Sequence, residues 1–124
     1  MLNYHFIFIN DVDQLTTHEK RVLRKLCVNK EFGCWVDYYG TELILCENDT
    51  DYICGWTAVD RKGNIGVYVR KALRGLGIGK KLVKYLVEQS NHQIFYATPR
   101  DEYPASIKIF NSIGDSIIIK DSIG

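Results

Sequence analysis

Residues 65–79 read Ile-Gly-Val-Tyr-Val-Arg-Lys-Ala-Leu-Arg-Gly-Leu-Gly-Ile-Gly, and a basic, periodic stretch from Lys80-Lys81-Leu82-Val83 follows at once. Alternating Ile65, Val67 and Val69 predict a strand with one buried face. Ile78, Leu82, Val83, Leu86 and Val87 then recur at helical spacing. Between them, Gly75, Gly77 and Gly79 let the backbone approach a ligand without side chains in the way. A glycine turn that opens a helix exposes unpaired N–H groups at the positive end of the helix dipole, which suits a phosphate. Two nucleotide loops fail on this sequence. A Walker loop would need glycine at Arg74 and a hydroxyl at Lys81. The dinucleotide fingerprint G-x-G-x-x-G fails because the third glycine comes one residue early.

The pattern that fits is Arg/Gln-x-x-Gly-x-Gly/Ala, here Arg74-Gly75-Leu76-Gly77-Ile78-Gly79, with Val69 five residues before the arginine. It resembles the acetyl-coenzyme A signature of the Gcn5-related N-acetyltransferase (GNAT) family. Ile53-Cys54-Gly55-Trp56 resembles that family's third strand, and the order strand, glycine loop, helix, strand is also similar. The resemblance extends over residues 4–120. It implies an α/β (α+β) fold with a mixed, mainly antiparallel central sheet of about six strands flanked by helices. At 124 residues the chain is expected to form one domain, 1–124.

Charge is unevenly placed. Arg61, Lys62, Arg70, Lys71, Arg74, Lys80, Lys81 and Lys84 fall in residues 61–87 without one acid, whereas residues 31–60 hold Glu31, Asp37, Glu42, Glu47, Asp49, Asp51 and Asp60 without one Lys or Arg. The basic block surrounds the glycine loop, as a polyanion such as coenzyme A requires. Nucleic acid is the alternative for such a block, but only Tyr68 and Tyr85 interleave it, too few aromatics for a single-strand binder. The acidic block, where it borders the catalytic groove, would attract a cationic amine on a small molecule or a protein; the competing reading is a solvated face. Cys27, Cys34, Cys46 and Cys54 contain no C-x-x-C pair and no histidine at ligand spacing, so no metal site is expected. Free thiols suit a reducing cytosol. No apolar run nears the ~20 residues of a membrane span. The expectation is a cytoplasmic protein with no nucleic-acid or membrane partner.

Elsewhere, Tyr4 to Asn10 reads as strand one, and Asp11 or Asp13 is the candidate cap of a helix carrying Leu15, Val22, Leu23, Leu26 and Cys27. Residues 29–40 are aromatic and glycine-bearing; in the family's layout this segment helps form the acceptor site. Thr41 to Cys46 and Tyr52 to Val59 predict a hairpin, and a turn at Lys62-Gly63-Asn64 precedes strand four. Gln93 to Thr98 reads as strand five, Pro104 to Ile113 as a helix ended by Gly114, and Ser116 to Asp121 as a last strand. The family closes with two strands here, so an open edge and a homodimer through the C-terminal strand are expected.

The resemblance implies transfer of an acetyl group from acetyl-CoA to a primary amine. The cofactor-binding residues it implies are Val67, Tyr68, Val69, Arg74, Gly75, Leu76, Gly77, Ile78, Gly79 and Lys80. Backbone N–H groups around Val67 to Val69 would take the pantetheine arm and the oxyanion, once strand four splays from strand five. Those from Gly75 to Lys80 would hold the pyrophosphate, with Arg74 lending charge. The family's tyrosine acid is replaced: aligned on Gly114, Phe110 stands in its place. Tyr96 and Tyr103 are the catalytic candidates, and Asp60 or Asp37 the candidate bases acting through water. Phe110 also favours an alternative: a catalytically weak or inactive GNAT-fold protein that binds acetyl-CoA or a protein partner as a regulator.

Overall fold

The computed structural model describes residues 3–28, 42–97 and 104–119. Strand β1 (Tyr4–Ile9) leads through a single 3-10 turn into helix α1 (Thr17–Val28); β2 (Glu42–Asn48), β3 (Ile53–Val59) and β4 (Ile65–Val69) follow as a meander. Helix α2 (Ile78–Gln89), β5 (Phe95–Ala97), α3 (Pro104–Ile113) and β6 (Ile117–Ile119) complete the order. The helix α1 cap differs from expectation. Thr16 Oγ1 accepts the Glu19 N–H at 3.0 Å and Glu19 Oε1 accepts the Thr16 N–H at 2.8 Å, a capping box. Asp11 instead accepts from the Asp13 N–H and organises the turn before it.

Strands β1 to β4 form an antiparallel sheet in sequence order, while β5 and β6 pair in parallel as a second sheet. The mainly antiparallel, six-strand expectation therefore holds, with the sheet divided between β4 and β5. Both faces of β2 and β3 are covered, so these strands read as near-continuous apolar runs. On one face, Ile44, Val59, Ile65, Val67, Phe95, Phe110 and Ile117 pack with Ile78, Leu82, Val83 and Leu86 of α2. On the other, Leu43, Leu45, Trp56 and Ala58 pack with Ile9, Leu15 and Val22. Leu82, Val83 and Leu86 are fully buried, each contributing roughly 1.5–3 kcal/mol of transfer free energy. That burial docks α2 on the sheet, with its N-terminus at the end of β4.

A bulge lies between β2 and β3: Cys46 opposes Gly55, and the next pair is Glu47 with Ile53, so Cys54 is the extra residue. Gly55 is required here, because a Cβ would lie 2.5 Å from the Tyr68 carbonyl oxygen and 3.1 Å from Val69 Cα. No helix among the described residues is long and apolar enough to cross a membrane.

Candidate active site

The divided sheet creates the site. Among the described residues, backbone pairing between β4 and β5 is confined to the parallel bridge Asn64–Tyr96, where the Tyr96 N–H donates to the Gly63 carbonyl at 2.7 Å. Beyond that bridge β4 has an open edge. Its register with β3 shows which groups face that edge. Asp60 donates to the Asn64 carbonyl at 3.1 Å and Arg70 to the Cys54 carbonyl at 2.9 Å. In an antiparallel ladder the residues at even steps between them, Gly66 and Tyr68, also point their N–H and C=O at β3. Val67 and Val69 therefore direct theirs to the open edge. Tyr68 contributes its ring instead, which lies against Trp56 with centroids 4.6 Å apart.

The loop after β4 makes one 3-10 turn (Lys71–Leu73) and returns to the strand end. Gly75 and Gly77 have φ of +86° and +83°, and nothing lies within 4 Å of a Cβ built on either. Their backbone conformation, and not crowding, requires glycine. Gly77 is the N-cap of α2 and offers no side-chain cap; no acid lies in the first turn. The first helical bond runs from Lys81 N–H to the Gly77 carbonyl, so the N–H groups of Ile78, Gly79 and Lys80 are unspent within the helix. Gly79 has a packing role: a Cβ there would meet Ile109 Cδ1 at 2.8 Å and Val69 Cγ2 at 3.5 Å. Leu76 and Lys80 are exposed at this end, as are Lys71, Arg74 and Lys81. Arg74 Nε donates to the Val69 carbonyl at 2.8 Å, with Cζ 5.8 Å from the Tyr68 ring centroid. Clustered positive charge, helix N–H groups and the open edge of β4 thus lie next to one another at this end of the fold, an arrangement that suits a polyanion.

Of the side chains proposed for proton transfer, the described ones, Tyr96 and Asp60, lie away from the open edge. Tyr96 is half-buried, its ring edge 3.3 Å from where a Gly63 Cβ would be, at the closed end of the cleft. Tyr103 and Asp37 lie outside the described residues. Asp60 Oδ1 accepts the N–H groups of Lys62 and Asn64, and Oδ2 accepts from Asn64 Nδ2; it holds the β3–β4 turn. Phe110 is buried in the core beneath α2.

The acidic block has structural partners. Glu42 is buried and accepts from Ser90 Oγ and, at 3.1 Å, from the Asn91 N–H, holding the far end of α2. Asp49 pairs with His5 at 2.6 Å. Glu47 is buried against Glu19 of α1, and its Oε1 has no hydrogen-bond partner. Burial raises the Glu47 carboxyl to about 8, and the hydrogen bond to Glu19 and the charges of Glu19 and Asp51 add to the rise. Glu19 is lowered: burial opposes this, but the hydrogen bonds from Glu47 and Thr16 outweigh it. Glu47 is the protonated donor and Glu19 the acceptor. Cys46 and Cys54 are buried free thiols; burial and the neighbouring Cys54 push Cys46 up to about 12. No group of three His, Cys, Asp or Glu among the described residues is placed to hold a metal ion.

Comparison with known proteins agrees with this geometry. A search of curated proteins finds no match. A proposed acetyltransferase of Acinetobacter baylyi shares the fold, with a TM-score of 0.63 at 17% identity over 92% of this chain and 79% of that one. A proposed acetyltransferase of Salmonella typhimurium, solved with its cofactor acetyl-CoA, gives 0.63 at 18% over 90% and 79%. The model of the acetyltransferase (GNAT) family matches residues 8–114. Matched over most of its length and carrying the glycine loop in its expected place, the chain belongs to the GNAT family of acetyltransferases.

Proposed function

We propose that this protein is an N-acetyltransferase that moves an acetyl group from acetyl-CoA to a primary amine. The observation that carries the reading is the open edge of β4 running into the glycine-capped N-terminus of α2. In this reading Val67 and Val69 pair through their backbone with the pantetheine arm. The N–H groups of Gly75 to Lys80 hold the pyrophosphate, and Lys71 and Lys80 supply charge. The amine nitrogen attacks the thioester carbonyl carbon, the C–S bond breaks, and the proton leaving nitrogen reaches the coenzyme A thiolate. An N–H of the β4 edge stabilises the oxyanion. Tyr96 and Tyr103 remain the proposed acids.

The acceptor carries its amine on a small molecule or a protein. The proposed attraction of a cationic acceptor draws no support from Glu42, Glu47, Asp49 or Asp60, which have the partners described above. A homodimer through the edge of β6 belongs to the same proposal, and light scattering at high concentration tests it. Phe110 favours a second reading, in which acetyl-CoA is bound without turnover, because a buried phenyl ring supplies no proton. A thiol-release assay with a panel of amines, paired with calorimetric titration of acetyl-CoA, separates the two. Binding without release on any amine or peptide supports the second; absence of binding removes both.

A further inference from the structure

We propose that Arg74 is a positioning residue: its Nε–H bond to the Val69 carbonyl ends the open edge of β4 and fixes where an extended cofactor arm stops pairing and the phosphate turn begins. The inference rests on the reading that this edge takes acetyl-CoA. Past the bridge to Tyr96, the edge presents the N–H and C=O of Val67 and the N–H and C=O of Val69. The last of these is already taken, 2.8 Å from Arg74 Nε. What remains is a donor, an acceptor and a donor. An amide-bearing arm can match that set in one register, and the strand is closed to further pairing one residue before the loop.

The chain is built to deliver this bond. Leu73 donates to the Arg70 carbonyl at 2.8 Å and Arg74 to the Lys71 carbonyl at 3.4 Å, a tight turn that doubles back on the strand end. Leu73 packs on the core and anchors that turn. Arg74 itself is extended, at φ −73° and ψ 150°, with its side chain lying back along the strand. Its guanidinium carbon then sits over the Tyr68 ring, which packs on the sheet face away from α2. The atom that makes the bond is the nitrogen attached to Cδ. Glutamine also carries an N–H on the atom attached to Cδ. Lysine keeps the charge but has no donor there. A role in charge and a role in hydrogen bonding therefore predict opposite rankings of the two variants.

The test compares Arg74→Gln, Arg74→Lys and Arg74→Met with the wild-type chain, each checked for an unchanged melting transition. Calorimetric titration with acetyl-CoA at low and moderate salt gives affinity. Amide exchange at Arg70, whose N–H donates to the Cys54 carbonyl, reads the strand end itself in the cofactor-free protein. Positioning predicts that Gln rescues, with affinity within about threefold and protection retained. Met and Lys weaken binding by roughly five- to tenfold, the worth of about one hydrogen bond, and lose protection at the strand end. Wild-type affinity in Lys with a tenfold loss in Gln would overturn the inference and return Arg74 to a charge role. Equal protection in all four proteins would overturn it as well. If the wild-type chain does not bind acetyl-CoA, the cofactor reading falls, while the exchange data still decide whether the Arg74–Val69 bond holds the strand end.

Discussion

Substituting Glu47→Gln should make the protein more stable at alkaline pH and change little at acid pH. In the folded protein Glu47 holds its proton up to about 8, whereas an unfolded glutamate ionises near 4.5. The folded state therefore binds more protons than the unfolded state between those values, and stability falls as pH rises across that window. The contribution is fully present below about 4.5 and lost above about 8. A shift of roughly 3.5 units at ~1.4 kcal/mol per unit sets an upper bound of about 5 kcal/mol. Glu19 shifts the other way, and the stability tied to its lowered carboxyl changes only below about 4.5, outside this window. A cost of a few kcal/mol above pH 8, on the order of but below that bound, follows. For a chain of this size that is a melting-point difference of very roughly 6–15 °C. The assay is thermal unfolding from pH 5 to 9 of the wild-type chain and Glu47→Gln. A His5→Gln background removes the exposed His5–Asp49 pair from the comparison. Among the described residues, the titratable groups near Glu47 are Glu19 from α1, Asp51 from the hairpin turn and the buried Cys46 and Cys54 thiols. A wild-type melting point that stays level from pH 5 to 8.5, parallel to that of Glu47→Gln, would refute the shared proton.

Two further outcomes can be measured directly. Gly55→Ala places a Cβ 2.5 Å from the Tyr68 carbonyl and 3.1 Å from Val69 Cα, both backbone atoms that cannot yield cheaply; a loss of about 2–4 kcal/mol and weaker acetyl-CoA binding by calorimetry are expected, and an unchanged variant would show that the β3–β4 register is wrong. Phe110→Tyr brings a hydroxyl to a ring that is 4% exposed; stability should fall by about 1–3 kcal/mol with no gain in thiol release, and a faster enzyme would mean that the hydroxyl reaches the cleft.

The glycine loop was legible because its signals are local. A strand of period two, glycines that need positive φ and a helix of period 3.6 follow one another within 25 residues, and the structure keeps all three. The capping box was equally local: Thr16-Thr17-His18-Glu19 carries it in plain sight, yet the earlier aspartates compete for the same role. Asp60 shows a different difficulty. In sequence it is a carboxylate at a strand end, with a base's chemistry; in the fold its oxygens are occupied by a turn that Lys62-Gly63-Asn64 already signalled. Glu47 could not have been found. It sits in Glu-Leu-Ile-Leu-Cys-Glu-Asn, where alternation puts it on the face of Leu43 and Leu45, and only the packing of α1 brings Glu19 against it there.

Register also divides the three residues from Val67 to Val69, which the sequence treats alike. One-residue alternation turns the amides of Val67 and Val69 to the cleft and that of Tyr68 to β3, a distinction that depends on the length of the turn between Asp60 and Asn64. On the proposed reading the donor site is thereby made mostly of backbone: two strand amides, three helix amides and a carbonyl closed by Arg74. Such a site tolerates changes of side chain so long as the strand register, the two left-handed glycines and the seat of α2 survive. Proton transfer has no such insurance, because it needs particular side chains at particular points. Phe110 in the core and Asp60 in its turn show how readily those points are given over to packing. On that reading affinity for the cofactor and the rate of turnover are set by different parts of this chain, and substitutions that preserve one are free to abolish the other.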